Sequence, residues 1–198
     1  MIFDTSKSRK EVIEISDSLA KYLHKEEIDN IFLLDRSARP AYLGLIHSWR
    51  NIYPNEKRPN IYFTNPDGYT TRNSEDIIKE FKEIYKKLPE EKNTKIMIFD
   101  TCIHTGNTMR PVRDILKEMS YENIILGAIR SEDEYEPYLN LEFQALDYNP
   151  DQGCYPFSRD NLIYKNNNSI LSKREKYCSF KRAINIRKEI SQIFKDAK

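Results

Sequence analysis

Short apolar runs alternate with longer amphipathic stretches along the chain. Four amphipathic stretches repeat apolar residues at the spacing of a helix: 8–23, 40–49, 74–88 and 109–119. The short apolar runs have the length of buried strands and lie at 31–34, 61–64, 96–99 and 124–129, with a last strand predicted at 141–146. Strands that alternate with helices of this length predict an α/β fold, with a doubly wound, mostly parallel sheet and helices on both faces.

The ends of this pattern predict a domain organisation. Ser8–Glu11 has the spacing of a capping box, which predicts that the first helix begins at Ser8. Residues 147–172 are irregular and rich in Asn, Asp and aromatic side chains, and they predict a cap. The apolar positions from Lys173 onward, Ile184 among them, predict a closing helix. We expect one domain over 1–198, with a core at about 28–147 and the cap and closing helix at about 148–198.

Composition excludes several classes of protein. Only five glycines are present where about 14 are usual, and no two are close together, which excludes the Gly-rich dinucleotide and P-loop fingerprints. The net charge of +1 favours neither nucleic acid nor an anionic membrane, and no apolar run approaches the length of a membrane span. Three cysteines without a Cys-x-x-Cys pair argue against a disulfide framework or a zinc cluster. A cytoplasmic protein is the expectation.

The chemistry is concentrated where the third predicted strand ends. Asp100 follows the apolar run 96–99, and the turn Thr105–Thr108 precedes a helix. Gly106 can adopt a positive φ, and free N–H groups together with threonine hydroxyls at a helix N-terminus form an anion-binding nest. A carboxylate a few residues upstream can accept hydrogen bonds from neutral hydroxyl groups of the same ligand. A ligand that places a phosphate in the nest and hydroxyl groups against Asp100 matches a ribose 5-phosphate.

The segment Ile96–Met109 resembles the signature of the type I phosphoribosyltransferases. That signature is four apolar residues, one or two acids, two apolar residues, a variable residue and Thr-Gly-x-Thr. The resemblance implies that Thr105, Gly106, Asn107 and Thr108 hold the 5-phosphate of phosphoribosyl pyrophosphate (PRPP). It also implies that Asp100 holds the ribose hydroxyls. The similar α/β pattern extends over roughly 28–147.

Two positions depart from that signature. Thr101 stands where many family members have a second acid, and we expect it to line the substrate site. His104 stands where several members have a catalytic Asp. This histidine titrates near neutrality and can relay a proton to or from the acceptor, with Asp100 as the other catalytic candidate. A loop residue that donates a hydrogen bond is the equal alternative for His104.

A second loop at the same sheet edge carries Arg36, Ser37 and Arg39. In the family, the turn after the first core strand contacts the pyrophosphate, so the resemblance implies that this loop clamps the diphosphate. Guanidinium groups suit such a ligand because they form paired hydrogen bonds with phosphate oxygens. A surface turn with solvated arginines is the alternative.

The resemblance implies an enzyme, a glycosyltransferase that moves ribose 5-phosphate from PRPP to an unidentified acceptor such as a nucleobase and releases pyrophosphate. Mg²⁺ is the expected cofactor, brought mainly by PRPP and not by a protein metal site. Small molecules are the expected partners, and the sequence leaves open whether the protein forms a homo-oligomer. One alternative is a non-catalytic regulatory protein that binds PRPP or a nucleotide. A less favoured alternative is a phosphohydrolase with Asp100 as nucleophile, because position 102, where the second Asp is needed, is Cys102.

Overall fold

A parallel β-sheet organises the protein. The computed structural model of the chain describes residues 3, 5–34, 38–65, 73–84, 88, 90, 93–103, 105–131, 140–146 and 180–197. Within those residues the strands are β1 (Asn30–Leu34), β2 (Asn60–Thr64), β3 (Ile96–Ile103), β4 (Ile124–Ser131) and β5 (Phe143–Gln144). Their order in the sheet is β2-β1-β3-β4-β5, and every neighbouring pair is parallel. This confirms the predicted α/β fold and its parallel sheet.

Helices cover both faces of this sheet. They are α1 (Ser6–Lys25), α2 (Ala38–Ile52), α3 (Ser74–Ile84), α4 (Arg110–Glu118) and α5 (Phe180–Asp196). Successive strand residues point to opposite faces, so each strand contributes to two separate cores. Met97 and Phe99 pack with α1, α2 and α5, whereas Ile96 and Ile98 pack with α3 and α4. The sheet is therefore doubly wound.

The helix termini differ in detail from the sequence pattern. Helix α1 begins at Ser6, two residues before the predicted start, because Thr5 is its N-cap. The Thr5 hydroxyl oxygen accepts a hydrogen bond from the Ser8 amide at 3.0 Å, and the buried Ser8 hydroxyl donates to the Thr5 carbonyl at 2.9 Å. Ser8 therefore lies in the first turn and does not cap the helix. In α5, Ile190 and Ile193 are buried as predicted, whereas the prediction is wrong at Ile184, which is 47% exposed while Ile186 is buried.

The last strand is shorter than the predicted 141–146. It spans Phe143–Gln144, although hydrogen bonds to β4 run on either side of it, from the Glu142 amide to the Leu126 carbonyl and from the Leu146 amide to the Ile129 carbonyl. The predicted cap at 147–172 lies outside the described residues, and the single-domain organisation stays a prediction. None of the described helices has the length and apolar character needed to cross a membrane.

Two glycines allow close packing of neighbouring elements. A Cβ on Gly44 of α2 would overlap the Ser16 hydroxyl of α1, and a Cβ on Gly127 of β4 would overlap the end of the Met97 side chain. A larger residue at Gly44 would require the Ser16 hydroxyl to move, and one at Gly127 would require the end of the Met97 side chain to move.

Candidate functional site

Asp100 lies near the carboxyl end of β3, at the edge of the sheet where ligands bind in open parallel sheets. Strand β3 lies between β1 and β4, and Asp100 is opposite Ala128 of β4 in the register. The Asp100 side chain is 8% exposed. A buried carboxylate needs hydrogen-bond donors, because it has left the water that would otherwise solvate it.

Those donors come from the motif itself. The backbone N–H of Thr101 donates to Asp100 Oδ1 at 2.7 Å. The Thr108 hydroxyl donates to Asp100 Oδ2 at 3.2 Å. The carboxylate thus joins the end of the strand to the last residue of the turn Thr105–Thr108, and it fixes where that turn lies.

The backbone of the turn has the conformation expected of an anion-binding loop. Gly106 has φ of 71°, in the left-handed region that favours glycine. Its carbonyl accepts hydrogen bonds from the Met109 and Arg110 amides at 3.0 and 3.1 Å, which starts the turn into α4. The Asn107 amide lies 3.4 Å from the Thr105 hydroxyl, a long hydrogen bond.

Several amide groups of this turn remain available to a ligand. Within the described part of the chain, the N–H groups of Thr105, Gly106 and Thr108 have no acceptor. No side chain caps the N-terminus of α4, and Pro111 sits in its first turn. Unsatisfied amides at a helix N-terminus, together with the helix dipole, favour an anion at this position.

Of the other predicted site residues, the structure describes Arg39 and Thr101. Arg39 lies in the first turn of α2 at the same edge, and its guanidinium carbon lies 4.1 Å from the centre of the Phe63 ring of β2, as in a cation–π contact. Thr101 follows Asp100 on β3 and is 1% exposed, so its side chain is buried. Arg36, Ser37 and His104 lie outside the described residues, so their predicted roles stay predictions.

Arg130 is a buried cation close to this site that the sequence reasoning missed. It is 3% exposed, lies on β4 and is opposite Cys102 in the register, two residues beyond the Asp100–Ala128 pair. The predicted strand ended at Ile129, but β4 continues to Ser131 because β3 also continues, to Ile103, and pairs with it. The signal was a charged residue directly after an apolar run at the ligand-binding edge.

Cys102 also differs from expectation. It is partly exposed and disulfide-bonded, with its partner outside the described residues. The cysteine pattern argued against a disulfide framework, and this bond departs from that expectation. The bond consumes the thiol that a nucleophilic role would need.

The described histidines have packing roles. His24 stacks on Tyr53 with ring centres 4.0 Å apart, and His47 stacks on Phe194 at 5.2 Å while its Nε2 lies 3.0 Å from the Ser191 hydroxyl. Among the described residues, no three His, Cys, Asp or Glu side chains come together as a metal-binding group.

Comparison with known proteins identifies the fold. No protein-family model and no curated protein sequence matches the chain. Its structure is similar to a hypoxanthine-guanine phosphoribosyltransferase from Bacillus anthracis, with a TM-score of 0.51 and 11% identity over 72% of this chain and 80% of that one. It is also similar to a hypoxanthine phosphoribosyltransferase from Staphylococcus aureus, with a TM-score of 0.50 and 11% identity over 72% and 76%. The fold is the type I phosphoribosyltransferase fold, as the motif had implied.

Proposed function

We propose that the protein is a phosphoribosyltransferase: it binds PRPP with Mg²⁺, transfers ribose 5-phosphate to an acceptor and releases pyrophosphate. The observation that carries the proposal is the link between Asp100 and the turn Thr105–Thr108. A buried carboxylate and a set of open amides stand side by side on a fold that phosphoribosyltransferases share.

The two ends of this link suit different parts of one ligand. The open amides of Thr105, Gly106 and Thr108 would hold the 5-phosphate, with Asn107 in the same turn. Asp100 would accept hydrogen bonds from the ribose hydroxyls, and the Thr108 hydroxyl would keep its carboxylate in place.

The diphosphate would be bound by the loop after β1. Arg39 stands at the correct edge of the sheet, and its stacking on Phe63 limits the orientations of the guanidinium. We propose that Arg36 and Ser37 complete this clamp. Charge neutralisation by such a clamp favours departure of the diphosphate from C1 of the ribose.

We propose that Mg²⁺ enters with PRPP. The described residues offer single carboxylates and not a multidentate cage, and Mg²⁺ commonly binds through substrate phosphates together with one or two carboxylates. When bound, the ion would neutralise the diphosphate. The chain's own groups would hold the two phosphate ends and orient the ribose between them.

We propose a class of acceptor and not a single molecule. Two solved neighbours act on hypoxanthine or guanine by their names, and purine bases are therefore the first acceptors to try. His104 is proposed as the residue that moves a proton to or from the acceptor, because its imidazole titrates near neutrality.

The test combines binding with turnover. Calorimetry with PRPP and Mg²⁺ should detect binding to the wild-type protein, and pyrophosphate release should follow addition of a suitable base from a panel that includes hypoxanthine and guanine. Asp100→Asn should abolish or strongly weaken both signals. Asp17→Asn on α1 removes the same charge away from the site and serves as the matched control. Absence of PRPP binding, or binding that Asp100→Asn leaves unchanged, would overturn the proposal.

A regulatory protein that binds PRPP without turnover is the second candidate. The observation that favours it is Thr101: at 1% exposure it supplies no second acid where many phosphoribosyltransferases have one. PRPP binding without pyrophosphate release across the full acceptor panel would support this candidate over the enzyme.

A further inference from the structure

A polar cavity lies at the amino-terminal edge of the sheet, opposite the edge that carries Asp100. It has a volume of about 390 Å³, and the residues that lead into β1, β2 and β3 line it, among them Asp29, Lys57, Arg58, Asn60, Asn93 and Thr94. Asp100 and the turn Thr105–Thr108 stand at the other ends of the strands. This cavity is therefore separate from the proposed PRPP site.

Two cations line this cavity. Lys57 and Arg58 are exposed, and within the described part of the chain neither makes an ion pair or a hydrogen bond. The neighbouring carboxylate of Glu56 is directed elsewhere, since its Oε2 lies 2.6 Å from His24 Nε2. An ammonium and a guanidinium side by side over a cavity are a suitable pair for a phosphate group.

The floor of the cavity is a chain of side-chain hydrogen bonds that runs in one direction. Thr94 donates its hydroxyl to Asp29 Oδ2 at 3.0 Å, because a carboxylate can only accept. Asn30, fully buried, donates its Nδ2 to the Thr94 oxygen at 2.9 Å. Asn60 in turn donates its Nδ2 to Asn30 Oδ1 at 3.0 Å.

This direction determines what the cavity offers to a ligand. Each side chain donates one hydrogen bond to its neighbour and each Asn amide keeps a second N–H, whereas Asp29 Oδ1 and Asn60 Oδ1 contact no donor among the described residues. The backbone holds the two acceptors in place, since the Asn60 amide donates to the Asp29 carbonyl at 2.9 Å and the Lys95 amide to Asp29 Oδ2 at 3.0 Å. A ligand for this cavity needs an anion for the cations and hydroxyl or N–H groups for the acceptors.

We propose that this cavity binds a small phosphate monoester that carries hydroxyl or N–H donors, such as a sugar phosphate or a nucleoside monophosphate. Lys57 and Arg58 bind the phosphate, and Asp29 with Asn60 accept hydrogen bonds from the sugar or the base. The volume lies within the range of small-molecule sites. The proposal stands independently of the PRPP reaction.

The test follows backbone and side-chain amide signals by NMR while ribose 5-phosphate or AMP is added to the intact protein. Signals of Asn60, Asn93 and Thr94 should shift in a saturable way. In the double variant Lys57→Gln/Arg58→Gln the affinity at these signals should fall about tenfold or more, as expected when charged hydrogen bonds are removed. Arg187→Gln/Lys188→Gln, an adjacent pair of exposed cations on α5, removes the same charge and should leave the affinity unchanged.

Further arms separate this site from the proposed PRPP site and from general anion attraction. Asp100→Asn should leave the shifts at Asn60 and Asn93 intact, so failure of the PRPP proposal does not imply failure of this one. Ribose without phosphate should bind far more weakly. A comparison of the affinity for AMP with the affinity for ribose 5-phosphate shows whether a base strengthens binding, which distinguishes a nucleotide from a sugar phosphate as the ligand. Absence of shifts, equal shifts with sulfate, or shifts that survive loss of Lys57 and Arg58 would overturn the proposal.

Discussion

The Thr108 hydroxyl donates to Asp100 Oδ2 at 3.2 Å, across eight positions of the chain. This contact joins the strand that carries the carboxylate to the turn that carries the open amides. Each half of the site is thereby positioned by the other. The contact also offers a test of the site that does not remove the carboxylate.

We predict that Thr108→Val weakens PRPP binding by about tenfold, the usual loss for a hydrogen bond to a charged group. Valine keeps the shape of threonine but cannot hold Asp100 Oδ2. Thr108→Ser keeps the hydroxyl and should retain near wild-type affinity. Calorimetry on the two variants makes the comparison, and equal affinity of the valine and serine variants would show that the contact does not position the carboxylate.

We predict that Gly106→Ala lowers both stability and PRPP affinity. A side chain at φ of 71° costs about 1–2 kcal/mol in the left-handed region. Relief of that strain would rotate the amides away from the phosphate. Gly106→Asn is the matched comparison, because asparagine tolerates this region better than alanine. Denaturant unfolding should rank the variants glycine, asparagine, alanine, and the reverse order of the last two would contradict the conformational explanation.

We predict that Gly44→Ala destabilises the protein by about 1–3 kcal/mol, the usual cost of overpacking. The new methyl group would overlap the Ser16 hydroxyl, which donates to the Val12 carbonyl at 2.6 Å. Ser16→Ala removes the overlapping oxygen, so the double variant should recover much of the loss. Unfolding free energies of the wild type, both single variants and the double variant form the cycle that measures this coupling. Additive effects would show that α1 and α2 do not meet through these two residues.

The sequence predicts the sheet and its binding edge because each depends on local pattern. The apolar run 96–99 followed by Asp100 needs no distant information to indicate a buried strand that ends in an acid. Gly106 likewise reveals itself as the one glycine between threonines, and its positive φ agrees with that interpretation.

What the sequence does not predict depends on contacts between distant segments. Arg130 belongs to β4 because β3 is long enough to pair with it, and the apolar run 124–129 alone does not predict that extension. The helix cap at Thr5 rather than Ser8 is a choice between two similar hydroxyls that burial of Ser8 decides. The cavity beside Lys57 and Arg58 is formed by three strand entries far apart in the chain.

We predict that Glu142→Gln changes how stability depends on pH. Partial desolvation raises the pKa of the exposed Glu142 above its ordinary value of 4.5, and the nearby carboxylate of Glu26 raises it further. The folded protein therefore holds this proton more tightly than the unfolded chain does. Its contribution to stability is present below about pH 4.5 and is lost as the pH rises through the folded-state pKa.

Glutamine has no such transition, so the stability of Glu142→Gln relative to wild type should increase over that pH window and then level off. Urea unfolding at a series of pH values from 4 to 7 measures the difference. Glu118→Gln on the exposed face of α4 removes one negative charge elsewhere and serves as the control. Glu26→Gln should reduce the effect, because it removes the second cause of the raised pKa. If the difference for Glu142→Gln stays constant with pH or follows that of Glu118→Gln, partial desolvation of Glu142 does not couple to folding.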